Sequence, residues 1–309
     1  MRKKLCQKET VIAIGNFDGV HIGHRQLLME AAKLKKQLEE ETGTFLKVLA
    51  MTFWPHPRSF FKDPTFKRIY DQEERDDLIL TTGAVDELLT LPFDKDLMEL
   101  PYKDFFQAIL VEKYKAAAIV VGDNFHFGKD GEGDSFKLKA LGEEAGIRTL
   151  IVPRVTYEGK PVSSSRIRSA LLEGHMEEVN AMLGQPYQMR GTVLHGKGVG
   201  HLLGTPTVNL MLDTEMESPK EGVYLSRTYV EGEAYNSLSN VGTNPTFGNE
   251  SLRTETYLLD YTGDLYGRKI TVEYLRYLRP EITFESPEAL KAQLNKDISM
   301  AKALFEEGN

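Results

Sequence analysis

The chain is poor in several things that would each have fixed its class. It has one cysteine, Cys6, which excludes an intrachain disulfide and suits a reducing compartment, so a cytoplasmic location is expected. It has no run of about 18 apolar residues, which excludes a spanning helix of the usual kind and any membrane role built on one. The basic start Met1-Arg2-Lys3-Lys4 leads to Gln7-Lys8-Glu9 rather than to an apolar core, so it does not read as a signal peptide. Nor is there a surplus of positive charge: 38 Lys and Arg stand against 46 Asp and Glu, a formal net charge of −8, which argues against nucleic acid as a partner. Basic clusters such as Lys33, Lys35 and Lys36 fit a solvated helix face. A length of 309 residues suggests two domains, each long enough for its own core.

What the sequence does have begins at residues 15–24, GNFDGVHIGH. The stretch follows the apolar run Val11-Ile12-Ala13-Ile14 and precedes a helical pattern through Leu27, Leu28, Ala31, Ala32 and Leu34. Strand, Gly-rich turn and helix in that order make a phosphate site, since backbone N–H groups approach the anion and the helix N-terminus adds positive partial charge. His21 and His24 supply further donors. Either histidine alone reads as an ordinary polar loop residue; it is their H-x-G-H spacing between strand and helix that points to a nucleotide. A zinc site competes, but Cys6 is the only cysteine and no third ligand stands at a recognisable spacing.

From residue 9 to about 153, apolar runs alternate with helical patterns, which predicts a parallel sheet covered by helices. Strands are expected at Val11–Gly15, Leu46–Phe53, Val85–Leu91, Ala117–Val121 and Arg148–Val152, and helices over 23–40, 72–82, 102–114 and 135–145. Ligands of such sheets collect at the carboxyl ends of strands. Polar clusters fall there: the opening motif, the Thr52–Arg58 stretch with Trp54 and two prolines, and GDNFHFG at 122–128. The Trp54 stretch reads equally as a stiffened loop; the glycines and aromatics of 122–128 suggest a loop closing over a base or ring. A P-loop is excluded, because five residues separate Gly122 from Gly128 and Lys129 is followed by Asp130. Ser163-Ser164-Ser165-Arg166-Ile167-Arg168 opens another helix. Serines there are ordinary caps, but three hydroxyls with two guanidiniums also make a phosphate clamp. A short helix, Met176–Leu183, then ends at Gly184, and the domain boundary is placed there, giving residues 1–184 and 185–309.

Beyond it, short alternating segments with turn signals predict an antiparallel barrel, with strands Tyr187–Leu194, Gly222–Tyr229, Ala234–Val241, Arg253–Leu259 and Lys269–Leu278 and a last helix over 287–305. Gly196 to Gly200 imitates a dinucleotide fingerprint but has His201 where the final glycine belongs. Thr207 and Asn209 lie two apart, so in an extended segment both side chains face one way and can hold a hard cation such as Mg²⁺ together with nucleotide phosphates. Glu255 is the lone acid of Arg253–Leu258. A solvated outward residue is the plain reading; facing the Thr207–Asn209 loop, it is suited to take a proton from a substrate hydroxyl.

These motifs in this order, GNFDGVHIGH, GDNFHFG, SSSRIR at 163–168, GTPTVN at 204–209, NVGTNPTFG at 240–248 and TETYLLDYTGDLYG at 254–267, resemble the bifunctional bacterial riboflavin kinase/FAD synthetase family over residues 9 to 305. The resemblance implies an α/β Rossmann-like nucleotidyltransferase domain followed by an antiparallel β-barrel with a C-terminal helix. It implies two reactions: ATP phosphorylates riboflavin to FMN in the barrel, and a second ATP adenylylates FMN to FAD with release of pyrophosphate in the N-terminal domain. His21 and His24 match the pair that stabilises the transferring adenylyl group, and Glu255 the kinase base. Gly15, Phe17, Asn124, Ser164, Ser165 and Arg168 match positions that bind ATP or flavin phosphate in the first domain, as do Gly198, Gly204 and Asn209 in the second. Thr207 and Asn209 match the ligands of the Mg²⁺ that accompanies ATP. The implied partners are the small-molecule substrates ATP, riboflavin and FMN, with neither nucleic acid nor membrane. Three positions depart from the family pattern: Ser165 for threonine, His201 for arginine and Trp54 for an acid. Two other readings compete: one module active and the other retained for stability or binding, or a nucleotide-binding regulator whose barrel senses flavin.

Overall fold

A computed structural model describes residues 8–61, 66–194, 207–211, 213–243 and 252–307. The packing divides the chain after Ser164 into two units.

The first unit is built on five parallel strands: β1 (Thr10–Ile14), β2 (Lys47–Trp54), β3 (Glu87–Pro92), β4 (Ala116–Gly122) and β7 (Arg148–Val152), in the order β3-β2-β1-β4-β7. Of the three inner strands, β1 and β4 are near-continuous apolar runs and β2 is buried over most of its length because both faces are covered, while β3 and β7 at the edges are more exposed. β3 starts later than the expected Val85: Asp86 accepts the Val48 N–H on its carboxylate at 2.8 Å, so its side chain takes the place of a ladder bond. The helices are α1 (Ile22–Thr42), α2 (Pro57–Phe60), α3 (Gln72–Leu80), α4 (Lys95–Glu99), α5 (Tyr102–Asp104) and α6 (Ser135–Ala145). α1 buries Leu27, Leu28, Ala31, Leu34 and Leu38 along one stripe and ends at Gly43, whose left-handed φ of 65° suits a residue without a Cβ. The segment expected as one helix over 102–114 widens after α5 into π turns from Phe105 to Lys113. Two short ribbons, β5 (His126–Phe127) with β6 (Gly133–Asp134) and β8 (Thr156–Tyr157) with β9 (Lys160–Pro161), complete the unit.

The second unit opens with α7 (Ser164–Glu173, of which Ser165 onward belongs here) and α8 (Met176–Leu183). Six antiparallel strands follow: β10 (Tyr187–Thr192), β11 (Val208–Met211), β12 (Gly222–Val230), β13 (Glu233–Thr243), β14 (Leu252–Leu258) and β15 (Lys269–Arg279). Their order β10-β15-β12-β13-β14-β11 is almost closed into a barrel by a bridge from Leu194 to Asn209. β11 was not among the expected strands. A last helix, α9 (Pro287–Glu307), covers Val223, Leu225 and Leu238 with Ala301, and Asp297 ties it to Arg279 at 2.6 Å.

Inside the barrel runs a ladder of buried hydroxyls: Thr228 to Ser237, Ser237 to Ser226, Ser226 to Ser239 and Ser239 to Thr256, each 2.8–2.9 Å. Every member is paired, so these polar groups are buried without an orphaned donor. α8 belongs to the barrel because the Asn180 amide donates to the Tyr274 carbonyl at 2.9 Å and accepts the Tyr187 N–H at 2.8 Å. The packing boundary therefore lies ahead of the α7–α8 pair, whereas the sequence reading put it behind.

Candidate active sites

In the first unit the strand order reverses between β1 and β4, and ligands of such sheets bind outside the carboxyl ends of the strands at that reversal. Both glycine-rich motifs emerge there, residues 15–24 after β1 and 122–128 after β4.

The loop after β1 is wound tightly. Phe17, Gly19 and Val20 have φ of 51°, 83° and 43°, and a left-handed backbone costs a non-glycine residue about 1–3 kcal/mol, most for a β-branched one such as Val20. Contacts on all sides impose it. The Asp18 carboxylate accepts the Ile69 N–H at 3.0 Å, the Asp18 carbonyl accepts the Ser164 hydroxyl at 2.9 Å, and the Thr52 hydroxyl donates to the Asn16 carbonyl at 3.2 Å. The result is that His21 caps α1, its Nδ1 accepting the His24 N–H at 3.3 Å, with the two rings stacked 3.6 Å apart and 12° from parallel.

Burial lowers the His21 pKa to about 4, and burial together with His21 lowers that of His24 well below the ordinary imidazole value. Both rings are therefore neutral at pH 7. Because Nδ1 of His21 accepts, its proton resides on Nε2, which is left as a hydrogen-bond donor. No acid lies in the first turn of α1, so the positive end of the helix is not cancelled. Neutral N–H donors at a helix N-terminus suit a phosphoryl group, whose oxygens they bond without giving up the proton.

The other first-domain candidates fall into place differently. Phe17 is buried completely, so its ring is unavailable to a ligand and only its main chain is left for one. Gly15 lies against that ring: a Cβ there would stand 3.2 Å from it. Asn124 is exposed beyond β4, its carbonyl bonded to the His126 ring at 3.0 Å. The loop around it is pinned. Lys129 N–H donates to the Leu100 carbonyl at 2.8 Å, Asp123 pairs with Arg154 at 3.1 Å, and Phe125 and Phe127 stack on each other against the core. The alternation of aromatics that suggested a closing loop is thus a core contact. Trp54 is flanked by the guanidiniums of Arg68 and Arg75, 4.8 and 5.5 Å from its ring. Ser164 holds the motif loop as described. Ser165 and Arg168 lie in the second unit, bonded to each other at 3.2 Å one turn apart on α7, while Arg166 is engaged by Glu178 at 2.5 Å.

In the barrel, register brings the second set together. Asn209 of β11 is the direct partner of Glu255 of β14, and Glu255 in turn of Asn240 of β13. Paired residues of an antiparallel ladder share a face with Cβ atoms about 5 Å apart. Asn209, Glu255 and Asn240 thus form one row on the face opposite to Thr254 and Thr256, which point inward to the hydroxyls; within the row Glu255 is exposed, Asn240 half-buried and Asn209 buried. Thr207, two residues before Asn209, precedes β11. The hydroxyl of Thr207 and the amide oxygen of Asn209 are hard donors of the kind that can hold a Mg²⁺ accompanying a nucleotide. Asn240 opens the 240–248 motif but carries no assigned role in the sequence; it donates to Glu281 at 2.8 Å, and only the pairing register connects it to Glu255. Gly198, His201 and Gly204 lie outside the described residues.

Comparison with known proteins finds matches over both units. Residues 3–166 match the family model described as FAD synthetase, and residues 183–305 that of riboflavin kinase. The bifunctional riboflavin kinase/FMN adenylyltransferase of Pseudomonas fluorescens is 36% identical over 297 residues, 95% of this chain and 92% of its own length. Its counterpart in Bacillus subtilis (strain 168) is 35% identical, covering 97% and 93%. A crystal structure described as a macrolide-efflux protein from Streptococcus pneumoniae has the same fold, with a TM-score of 0.86, 32% identity and coverage of 96% and 94%. No helix among the described residues of this chain is long and apolar enough to cross a membrane.

Proposed function

The chain belongs to the bifunctional riboflavin kinase/FMN adenylyltransferase family, whose two activities it carries, and on that premise we propose how each unit uses its residues. In the first unit, the FMN phosphate attacks the α-phosphorus of ATP and pyrophosphate leaves. The Nε2–H of His21, the ring of His24 and the N-terminus of α1 stabilise the charge that builds on the transferring phosphoryl group. Gly15 and the main chain of Phe17 let the nucleotide approach, and Asn124 faces it from the end of β4; for Ser165 and Arg168, which lie in the second unit, substrate-phosphate binding is proposed on the sequence match alone. Ser164 acts by fixing the loop through Asp18.

In the barrel, Glu255 takes the proton of the terminal ribityl hydroxyl of riboflavin while that oxygen attacks the γ-phosphorus of ATP and ADP leaves. Thr207 and Asn209 hold Mg²⁺, which neutralises phosphate charge when bound with ATP. Gly198 and Gly204 belong to the same nucleotide loop in sequence. The register that sets Asn209 opposite Glu255 is the observation that carries this assignment, because it brings a cation ligand and a base to one face from strands 46 residues apart in sequence. A kinase domain proper that begins near residue 185, with α8 packed on its barrel from ahead of that point, a cytoplasmic location and the absence of a nucleic-acid partner complete the proposal.

The test is to incubate purified protein with riboflavin, ATP and Mg²⁺ and separate the flavins by chromatography. FMN should appear first and FAD follow. His24→Ala should stop the sequence at FMN, and Glu255→Gln should make no FMN yet still convert added FMN to FAD. An unchanged conversion in either variant overturns that assignment; flavin binding without any turnover would favour the regulator.

A further inference from the structure

Phe17 has no part in the chemistry just described beyond its main chain, and yet it holds one of the two costly conformations of the loop. An aromatic residue with φ of 51° needs a reason, since glycine would adopt it freely. The consequence of that φ is where the ring goes. It turns back under the motif, fully buried, with one edge against Gly15, and meets the His24 ring edge-on at 5.4 Å between centroids, 75° from parallel. His24 is therefore held between two rings, by His21 in parallel stacking and by Phe17 from the side. A ring-edge contact of this kind favours a fixed interplanar geometry. The packing at Gly15 shows how little play there is, because a single methyl group there would press on the Phe17 ring at 3.2–3.3 Å.

We propose that Phe17 is a positioning residue for adenylyl transfer: its ring, wedged between Gly15 and His24, sets the plane of the His24 imidazole, and Gly15 is glycine partly to make room for it. The inference rests on the assignment of His24 to that reaction. It predicts that Gly15 and Phe17 act through one another, although a glycine in a phosphate-binding turn would ordinarily be explained by the ligand alone.

The test compares Phe17→Leu, Gly15→Ala and the double variant with His24→Ala, following FAD formation from FMN and ATP. Leucine keeps most of the buried volume and removes the ring edge. The emission of Trp54, the only tryptophan and a residue of the same unit, reports whether the unit is folded. Displacing a catalytic group by about an ångström costs roughly 100-fold in rate. Phe17→Leu is expected to lower kcat about 10- to 100-fold with KM for ATP and FMN within about threefold and Trp54 emission unchanged. Gly15→Ala should lower kcat likewise, and the double variant should be no worse than Phe17→Leu. A wild-type kcat in Phe17→Leu, or multiplicative losses in the double variant, would overturn the proposal. Should Phe17→Leu alter Trp54 emission, Gly15→Ala decides, an unchanged kcat there counting against it. If His24→Ala itself retains full activity, the assignment of His24 falls instead, and the two failures are told apart.

Discussion

At pH 7 both imidazoles of the His21–His24 stack are neutral, and this has a thermodynamic consequence separate from catalysis. Between pH 6.5 and about 4 the unfolded chain binds a proton at residue 21 that the folded chain does not. The stability contributed by neutral His21 is therefore complete above pH 6.5 and is lost as pH falls toward 4, by about 3 kcal/mol at most. Urea unfolding at pH 7 and pH 4.5 should show a larger loss for the wild type than for His21→Gln; equal losses would mean that the ring is not held neutral. The importance of the pair was legible in sequence, because H-x-G-H between an apolar run and a helical stripe is a local pattern. The left-handed backbone of Phe17 and Val20 was not, since neither residue type announces a positive φ. Nor was the role of Asp18, whose carboxylate bonds to Ile69, 51 residues away. The bond of Ser164 was no more legible: a hydroxyl at a helix start gives no sign that it donates to a carbonyl 146 residues earlier.

Among elements, β1 and β4 were readable because a strand covered on both faces is apolar throughout, and α1 because its stripe repeats at helical spacing. β11 escaped notice. It has four residues, too few for alternation to stand out, and it is a strand only because β14 pairs with it. The β12–β13 hairpin turns on Glu231 and Gly232, with φ of 51° and 91°, a geometry that favours asparagine or glycine at the first position. Glu231→Asn should raise the stability of the barrel by roughly 0.5–1 kcal/mol in thermal unfolding, because the exposed pair with Arg268 that it forfeits is worth little. The opposite is expected at α9. Asp297 is 2% exposed and accepts three bonds from Arg279 and one from Gln293, so Asp297→Ala strands a guanidinium and should cost about 3 kcal/mol. Faster amide exchange along 287–307 would locate the damage; unaltered exchange there would show that the apolar contacts around Ala301 suffice.

For the whole molecule, the change from helix-and-strand alternation to short antiparallel segments was plain in the sequence, but not which side the intervening helices would join. Asn180 decides it with bonds to Tyr187, Tyr274 and Leu275, which no local pattern reveals. Neither family model extends over residues 167–182, the stretch that holds most of α7 and α8. A fragment of residues 165–309 should accordingly unfold at a higher temperature than one of residues 185–309, where those backbone groups lose their partner; equal midpoints would make the helix pair dispensable to the barrel. The alternation of β14 bears on how such a chain is able to change over generations. Thr254 and Thr256 complete the interior while Glu255 stands outside, so one residue gained or lost within the strand would exchange the two sets at a stroke. Descendants of this sequence are free to drift in composition along β14 but not in its length by odd steps, and growth is left to the connections between strands.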